Sequence, residues 1–174
     1  EDSQFNQTLE NLPPSLEYLA TGWTYNKPIP YLPNLIYLWL GRKYSLGLPK
    51  LSSSLQYLIL EESFTQYLDN LPPNLEYLHV GWHYNKPLDK LPQGLKYLDF
   101  CVEKFSHDIN NLPNGLKVFR FSAYENHKCT FNFLPEQLES LYVSSEVIVK
   151  LDCLPHGLKY LDVRINNYFD KNAD

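Results

Sequence analysis

The chain has 174 residues, 44% hydrophobic and 20% charged, with a formal net charge of −5. This balance belongs to a globular chain and excludes a disordered one. The negative charge and the scatter of the basic residues argue against nucleic-acid and anionic-membrane partners, both of which need a positive field.

No stretch reaches the ~18 consecutive apolar residues of a membrane-spanning helix. The three cysteines, Cys101, Cys129 and Cys153, are odd in number and widely spaced. They do not suggest a disulfide framework, and a reducing compartment is expected. One glycosylation tripeptide, Asn6-Gln7-Thr8, is of a kind that arises by chance and carries little weight.

From Phe5 onward a single phrase repeats. The first copy, FNQTLENLPPSLEYL, places an aliphatic residue four positions after an aromatic. Leu-Pro follows, and then a run of the form L-x-x-L-x-φ, with φ apolar. Eight copies are anchored on Leu16, Leu35, Leu55, Leu75, Leu95, Leu116, Leu138 and Leu158, at intervals of 19, 20, 20, 20, 21, 22 and 20 residues. A period this regular signals a solenoid.

The first half of each copy predicts a short strand, because apolar and polar residues alternate with a period of two. Leu16, Leu19 and Thr21 point inward in the first copy, Leu75, Leu78 and Val80 in the fourth, and Leu95, Leu98 and Phe100 in the fifth. Phe119 and Phe121 take these places in the sixth copy, and Leu138, Leu141 and Val143 in the seventh. One such strand cannot bury its own apolar face; stacking each copy on the next can, as a parallel sheet with one strand per coil. At ~4.8 Å per strand such a sheet is roughly 35–40 Å long.

The second half carries an aromatic and then an aliphatic residue: Phe5/Leu9, Tyr25/Ile29, Tyr44/Leu48, Phe64/Leu68, Tyr84/Leu88 and Phe105/Ile109. Pro13, Pro33, Pro72, Pro92, Pro113, Pro135 and Pro155 each follow a leucine, and Ser52 stands in this place in the third copy. Proline removes a donor and fixes φ, so this side is predicted to be extended or single-turn 3₁₀ backbone without regular helix. Gly22, Gly41 and Gly81, directly after strands, read as permissive turn backbone. Asn6, Asn26, Ser45, Thr65, Asn85 and Ser106 fall at one phase and are expected to cap backbone groups at a corner of the coil. The phrase decays in the last copies, at HKCTF and VIVKL, where the turn geometry is not predictable. No dedicated N-terminal cap is expected before Phe5, and the polar stretch NNYFDKNAD is expected to shield the last coil.

The pattern resembles the leucine-rich repeat. More narrowly, FNQTLENLPPSLEYL and YNKPLDKLPQGLKYL resemble the FNIP-repeat subfamily, known mainly from social amoebae and giant DNA viruses, where the repeats sometimes follow an F-box. The resemblance spans nearly the whole chain, though no F-box is present in it. It implies one leucine-rich-repeat solenoid domain over residues 1–174, with a concave parallel sheet. It also implies a cellular or host protein as partner, a substrate-adaptor role and a cytoplasmic location, the host cytoplasm if the source is viral.

Two outward rows carry the functional reading. The first is Tyr18, Tyr37, Tyr57, Tyr77, Tyr97, Val118, Ser140 and Tyr160, a stripe of rings that both stiffens the sheet and faces a partner. The second varies freely: Ala20, Trp39, Ile59, His79, Asp99, Arg120, Tyr142 and Asp162. Variation against a fixed scaffold is what a specificity surface looks like within one chain. His79, Asp99 and Arg120, on consecutive coils, are expected to form an ion network. Trp23 and Trp82 read equally as exposed anchors or as lids over the coil edge, and Lys27 and Lys86 as solvated.

His79 beside Asp99 lacks a nucleophile, a pocket and an oxyanion site. Cys101, His107, His127, Cys129, Cys153 and His156 match no compact ligand spacing. No catalysis, metal or cofactor is expected. The function expected is protein recognition through the concave face; the alternative is an assembly module that forms a homodimer through its tyrosine stripe.

Overall fold

The computed structural model describes residues 5–124, 130–131, 133–144, 148–149 and 154–164. Among the described residues the chain runs through ten strands: β1 (Tyr18–Ala20), β2 (Tyr37–Leu40), β3 (Tyr57–Leu60), β4 (Tyr77–Val80), β5 (Tyr97–Val102), β6 (Val118–Ala123), β7 (Thr130–Phe131), β8 (Ser140–Ser144), β9 (Ile148–Val149) and β10 (Tyr160–Arg164). Eight of them form one sheet in the order β1-β2-β3-β4-β5-β6-β8-β10. Every pairing is parallel and joins residues of the same repeat phase: Tyr18↔Tyr37, Tyr37↔Tyr57, Tyr57↔Tyr77 and so on. Equal positions of the repeat therefore stack as rows across the whole sheet.

The inward rows close the core. Leu38, Leu58 and Leu78 are fully buried, as are Leu40, Leu60, Val80 and Phe100 in the row beside them. Leu16 and Leu19, in the first coil, are only half-buried, because they have a neighbouring coil on one side. Across the core from the sheet stand Tyr25, Tyr44, Phe64, Tyr84 and Phe105, all buried. Neighbouring rings lie nearly parallel where the phase is strict: Phe5 and Tyr25 at 6.2 Å and 5°, Phe64 and Tyr84 at 6.4 Å and 3°.

Burying a tyrosine requires a partner for its hydroxyl. Tyr25 donates to the Pro28 carbonyl at 3.1 Å, Tyr44 to that of Gly47 at 3.1 Å and Tyr84 to that of Pro87 at 3.4 Å. Burial pushes the Tyr44 phenol up from the ordinary 10 to about 12, with Tyr25 adding to it, and burial raises Tyr25 and Tyr84 in the same direction. The fold thus holds the neutral phenol. In the unfolded chain a phenol ionises near its ordinary value, so this contribution is complete below about pH 10 and is lost as the pH rises toward 12. Thermal melts across that window are expected to show the wild-type melting temperature falling more steeply than that of Tyr44→Phe. Equal slopes would mean that Tyr44 titrates at its ordinary value in the folded protein.

In the coils before β6 the return half is extended backbone broken by isolated turns, and no helix forms among the described residues. One turn precedes each strand of the main sheet, where the anchor leucine N–H bonds three residues back: Leu16 to the Pro13 carbonyl, Leu75 to Pro72, Leu95 to Pro92, Leu116 to Pro113. Pro14 and Pro73 occupy the second position of this turn, where a fixed φ near −65° is favourable. In the 19-residue coil the turn shifts by one residue, and Leu35 bonds to Leu32. Ser52 replaces the proline with polar chemistry: its hydroxyl donates to the Pro33 carbonyl and accepts the Ser54 N–H.

A second turn follows the strand, closing Tyr25 onto Gly22, Tyr44 onto Gly41, Phe64 onto Glu61 and Tyr84 onto Gly81. These glycines were expected to supply permissive turn backbone. No described residue, glycine included, has a positive φ, so that reason does not hold. For Gly41 and Gly81 the reason is space: a Cβ on Gly41 would stand 2.2 Å from the Gly22 carbonyl oxygen, and one on Gly81 would stand 2.9 Å from the Glu61 carbonyl carbon.

The decayed copies differ from the rest. Where the aromatic phrase is lost, β7 and β9 pair in parallel, Thr130↔Ile148 and Phe131↔Val149, as a second two-stranded sheet outside the main one. Backbone pairing there joins coils that elsewhere are joined by the corner side chains. The NNYFDKNAD segment, His127, Cys129 and Cys153 lie outside the described residues.

Candidate functional site

Because the register is strict, the solvent-facing side of the sheet is a lattice of rows. Five tyrosines form a continuous ladder in the first row. Tyr18 and Tyr37 stack at 4.4 Å and 11°; from Tyr37 through Tyr57 and Tyr77 to Tyr97 the ring centroids are 6.2, 6.2 and 6.5 Å apart, tilted by 32–34°. Spacings of 4.5–7 Å with offset or tilted rings are the favourable ones for aromatic pairs. The ladder stops at Val118 and at Ser140, which is buried, and Tyr160 resumes the row as an exposed ring. Tyr18, Tyr57 and Tyr97 remain exposed although they stack. Tyr37 and Tyr77 are half-buried, and burial is the first cause of the raised pKa of each.

The second row runs Ala20, Trp39, Ile59, His79, Asp99, Arg120, Tyr142, Asp162, each in register with the next. The Trp39 indole N–H donates to Glu61 Oε1 at 3.2 Å, which fixes the ring against the sheet beside Ile59. His79 Nδ1 lies 3.3 Å from Asp99 Oδ2. The expected three-member ion network is only this pair. The Arg120 guanidinium turns away from Asp99 and lies over the Tyr142 ring, 5.0 Å from its centroid. Arg120 had a carboxylate on one side and a ring on the other, and a half-exposed cation can take the ring at similar cost. Asp162 is held by Arg164 of its own strand at 2.6 and 2.8 Å.

His79, Trp82 and Cys101 border a shallow groove at the C-terminal ends of β3 to β5, together with Arg42, Glu61, Glu62 and Gly81. Burial and the nearby Asp99 raise the Cys101 thiol, so this cysteine is not an activated nucleophile. At the rim of the groove Arg42 pairs with Glu62 at 3.2 Å, and His83 lies 3.2 Å from Glu103. The two tryptophans divide the two expected roles. Trp23 is exposed with the Arg42 guanidinium over its ring at 4.8 Å, whereas Trp82 packs on Tyr124 at 4.5 Å as a lid.

The polar corner is a hydrogen-bonded ladder between coils. Asn6 Oδ1 accepts the Asn26 N–H at 2.9 Å, Asn26 Oδ1 accepts that of Ser45 at 3.2 Å, and Asn85 Oδ1 accepts that of Ser106 at 2.9 Å. The Asn26 and Asn85 amides also donate to the Ser45 and Ser106 hydroxyls. Among the described residues the Thr65 side chain makes no such bond, and Gln66, one residue on, donates to the Ser45 carbonyl at 3.1 Å instead.

Two features escaped the sequence reading. Just before each tyrosine lies a third row, where Glu76 pairs with Lys96 at 2.6 Å, and Glu139 pairs with both Lys159 at 2.7 Å and Lys117 at 3.7 Å. Opposite charges recurring one period apart were its signal. On the return side Lys50 and Lys86, the latter expected to be solvated, lie over the exposed rings of Tyr31 and Tyr67 at 5.7 and 5.1 Å.

A parallel sheet with one strand per ~20-residue coil, closed by extended returns and corner asparagines, is a solenoid of the leucine-rich-repeat type. The family model of the FNIP repeat matches residues 5–43 and 68–101. The two matched segments carry FNIP repeats, and the same register continues through the coils between and beyond them. The chain is similar in structure to CroV588, described as a novel circular leucine-rich-repeat protein, with a TM-score of 0.68 and 26% identity over 91% of this chain. The chain spans 29% of the length of that protein. No curated protein sequence matches it significantly.

Proposed function

We propose that the chain is a non-catalytic protein-recognition module that reads its partner through the solvent-facing rows of the sheet. A leucine-rich-repeat scaffold is typically an interaction platform. The observation that carries the finer reading is the second row, where residues as different as Trp39, Ile59, Asp99 and Arg120 lie side by side next to a row whose first five members form a tyrosine ladder. Aromatic rings flanked by single charges are the composition of a binding surface, with rings for area and charges for orientation. By family resemblance the partner is a cellular protein met in the cytoplasm, a host protein if the source is viral, and the chain acts as the substrate-reading part of an adaptor.

The test is affinity capture from a candidate cell lysate with the wild-type chain and with a Trp39→Ala/Tyr57→Ala/Arg120→Ala variant, after matching their circular dichroism. The variant is expected to lose a defined subset of captured proteins at least ten-fold. Identical captured sets for the two chains would sink the reading.

The exposure of Tyr18, Tyr57, Tyr97 and Tyr160 also supports a second reading, in which two tyrosine faces meet in a homodimer. That dimer would be weakened by the same triple variant with no lysate present.

A further inference from the structure

We propose that the groove at the C-terminal ends of β3 to β5 receives an arginine side chain of the protein partner, its guanidinium stacked on Trp82 and bonded to Glu61 and Glu62. The proposal rests on recognition through the sheet and names the chemistry that one part of that surface reads.

The residues just past the strands form a row of their own. Trp23, Arg42, Glu62 and Trp82 stand at one phase: the Trp23 carbonyl accepts the Lys43 N–H, that of Arg42 the Ser63 N–H and that of Glu62 the His83 N–H. The order along the row is ring, cation, acid, ring. Between the first ring and the acid the chain supplies its own cation. The Arg42 guanidinium lies over Trp23, 4.8 Å from its centroid, and Arg42 Nε is 3.2 Å from Glu62 Oε2. On the other side of the acid the pattern is open. Glu62 and Trp82 are neighbours, and among the described residues no lysine or arginine lies over the Trp82 ring. The second Glu62 oxygen, Oε1, faces His83 Nε2 at 4.0 Å, beyond hydrogen-bond reach.

Glu61 brings a second acid to the same place. Its Oε1 accepts the Trp39 indole N–H at 3.2 Å, which orients the carboxylate, and among the described residues no cation pairs with it. Glu61, Glu62 and Trp82 line one groove of about 530 Å³, where Gly81 presents no side chain. The remaining groups on its wall offer no free cation. His79 is engaged by Asp99 at 3.3 Å, Arg42 by Glu62 and Trp23, and Cys101 is kept a neutral thiol by burial and by Asp99. Trp82 is fixed by its packing on Tyr124.

Two acids beside a partly exposed indole complement a cation and repel a phosphate. Arginine suits them better than lysine, because its planar fork spans two carboxylates while its face covers a ring. Arg42 on Trp23 and Arg120 on Tyr142 show that this surface already forms the same contact with its own residues.

NMR of the indole N–H signals tests the proposal, with a capped pentapeptide probe carrying one arginine among glycines. Citrulline and lysine versions are the controls, citrulline keeping the shape of arginine without its charge. The arginine peptide is expected to shift Trp82 and Trp39 and to leave Trp23 least changed. Citrulline leaves all three in place, and lysine binds more weakly than arginine. Glu61→Gln/Glu62→Gln is expected to weaken the arginine peptide at least five-fold, while glutamine keeps an acceptor for the Trp39 indole. Asp69→Asn/Asp89→Asn, on the return side, removes the same charge and leaves binding unchanged. Equal binding of arginine and citrulline, lysine as good as arginine, equal weakening by the two double variants, or no Trp82 shift at millimolar peptide overturns the proposal. Lysate capture separates this from the wider reading. If the triple variant loses partners that Glu61→Gln/Glu62→Gln keeps, the arginine site falls and recognition through the sheet stands. If the peptide binds as expected but every chain captures the same proteins, the groove takes arginine and the wider reading falls.

Discussion

Replacing Phe100 with alanine is expected to lower the free energy of unfolding by about 3–5 kcal/mol, measured by urea denaturation. Phe100 is fully buried on β5, in register with Val80 on one side and Phe121 on the other. Its ring is edge-on to Phe105 at 4.9 Å and 85° and to Tyr84 at 5.9 Å and 80°, and it lies 5.8 Å from Phe121. It therefore joins the sheet to the aromatic column across the core and joins three successive coils to one another. A solenoid coil packs only on its neighbours, so no distant element can collapse into the space left behind. A loss of this size is a large share of the ~5–15 kcal/mol that holds a typical domain. Phe100→Leu is expected to cost much less, since most of the volume is kept. Tyr97→Ala, on the same strand but with its ring exposed, is the outward control. If Phe100→Ala unfolds within about 1 kcal/mol of wild type, the core is not packed as described.

Much of this packing was legible in the sequence because two periodicities act together. Alternation along the strand separates Leu78 and Val80 from Tyr77 and His79. The 20-residue period then aligns His79 with Ile59 before it and Asp99 after it. Backbone position follows from these two rules alone, so both outward rows and the inward rows were written into the phase of the repeat.

Side-chain choices between equivalent neighbours were not legible. Arg120 had Asp99 on one side and Tyr142 on the other, and phase cannot decide between a carboxylate and a ring. The row of Glu76, Lys96, Lys117, Glu139 and Lys159 was readable in principle, but its charged residues sit beside a near-invariant tyrosine and read as mere repeat consensus. The pairing of β7 with β9 arises where two neighbouring copies lose the phrase together, and a rule built on the phrase is silent there. Placement of the candidate site thus depends on period, whereas its chemistry depends on rotamers that neighbouring coils select.

The glycines after the strands offer a case in which two physical readings predict opposite signs. If Gly41 served turn flexibility alone, alanine at its negative φ would stabilise the protein by about 0.4–1 kcal/mol, because the unfolded chain would lose freedom. The structure puts an added Cβ 2.2 Å from the Gly22 oxygen, 2.8 Å from the Gly22 carbonyl carbon and 3.1 Å from the Trp23 Cα. All three are backbone atoms, so no rotamer change relieves the clash, and the two coils must move apart. That movement would also strain the bond from the Gly41 N–H to Thr21 Oγ1 at 3.0 Å, which joins the same two coils. Gly41→Ala is therefore expected to destabilise by about 1–3 kcal/mol, read as a lower denaturation midpoint. Gly47 supplies the contrast within the same coil: nothing lies within 4 Å of its added Cβ, and its φ is not positive. The Tyr44 hydroxyl uses the Gly47 carbonyl, which the substitution leaves in place. Gly47→Ala is accordingly expected to raise stability by about 0.4–1 kcal/mol. Two glycine-to-alanine changes six residues apart should thus shift the midpoint in opposite directions. A common sign for both would mean that the close approach of the first two coils does not govern this corner.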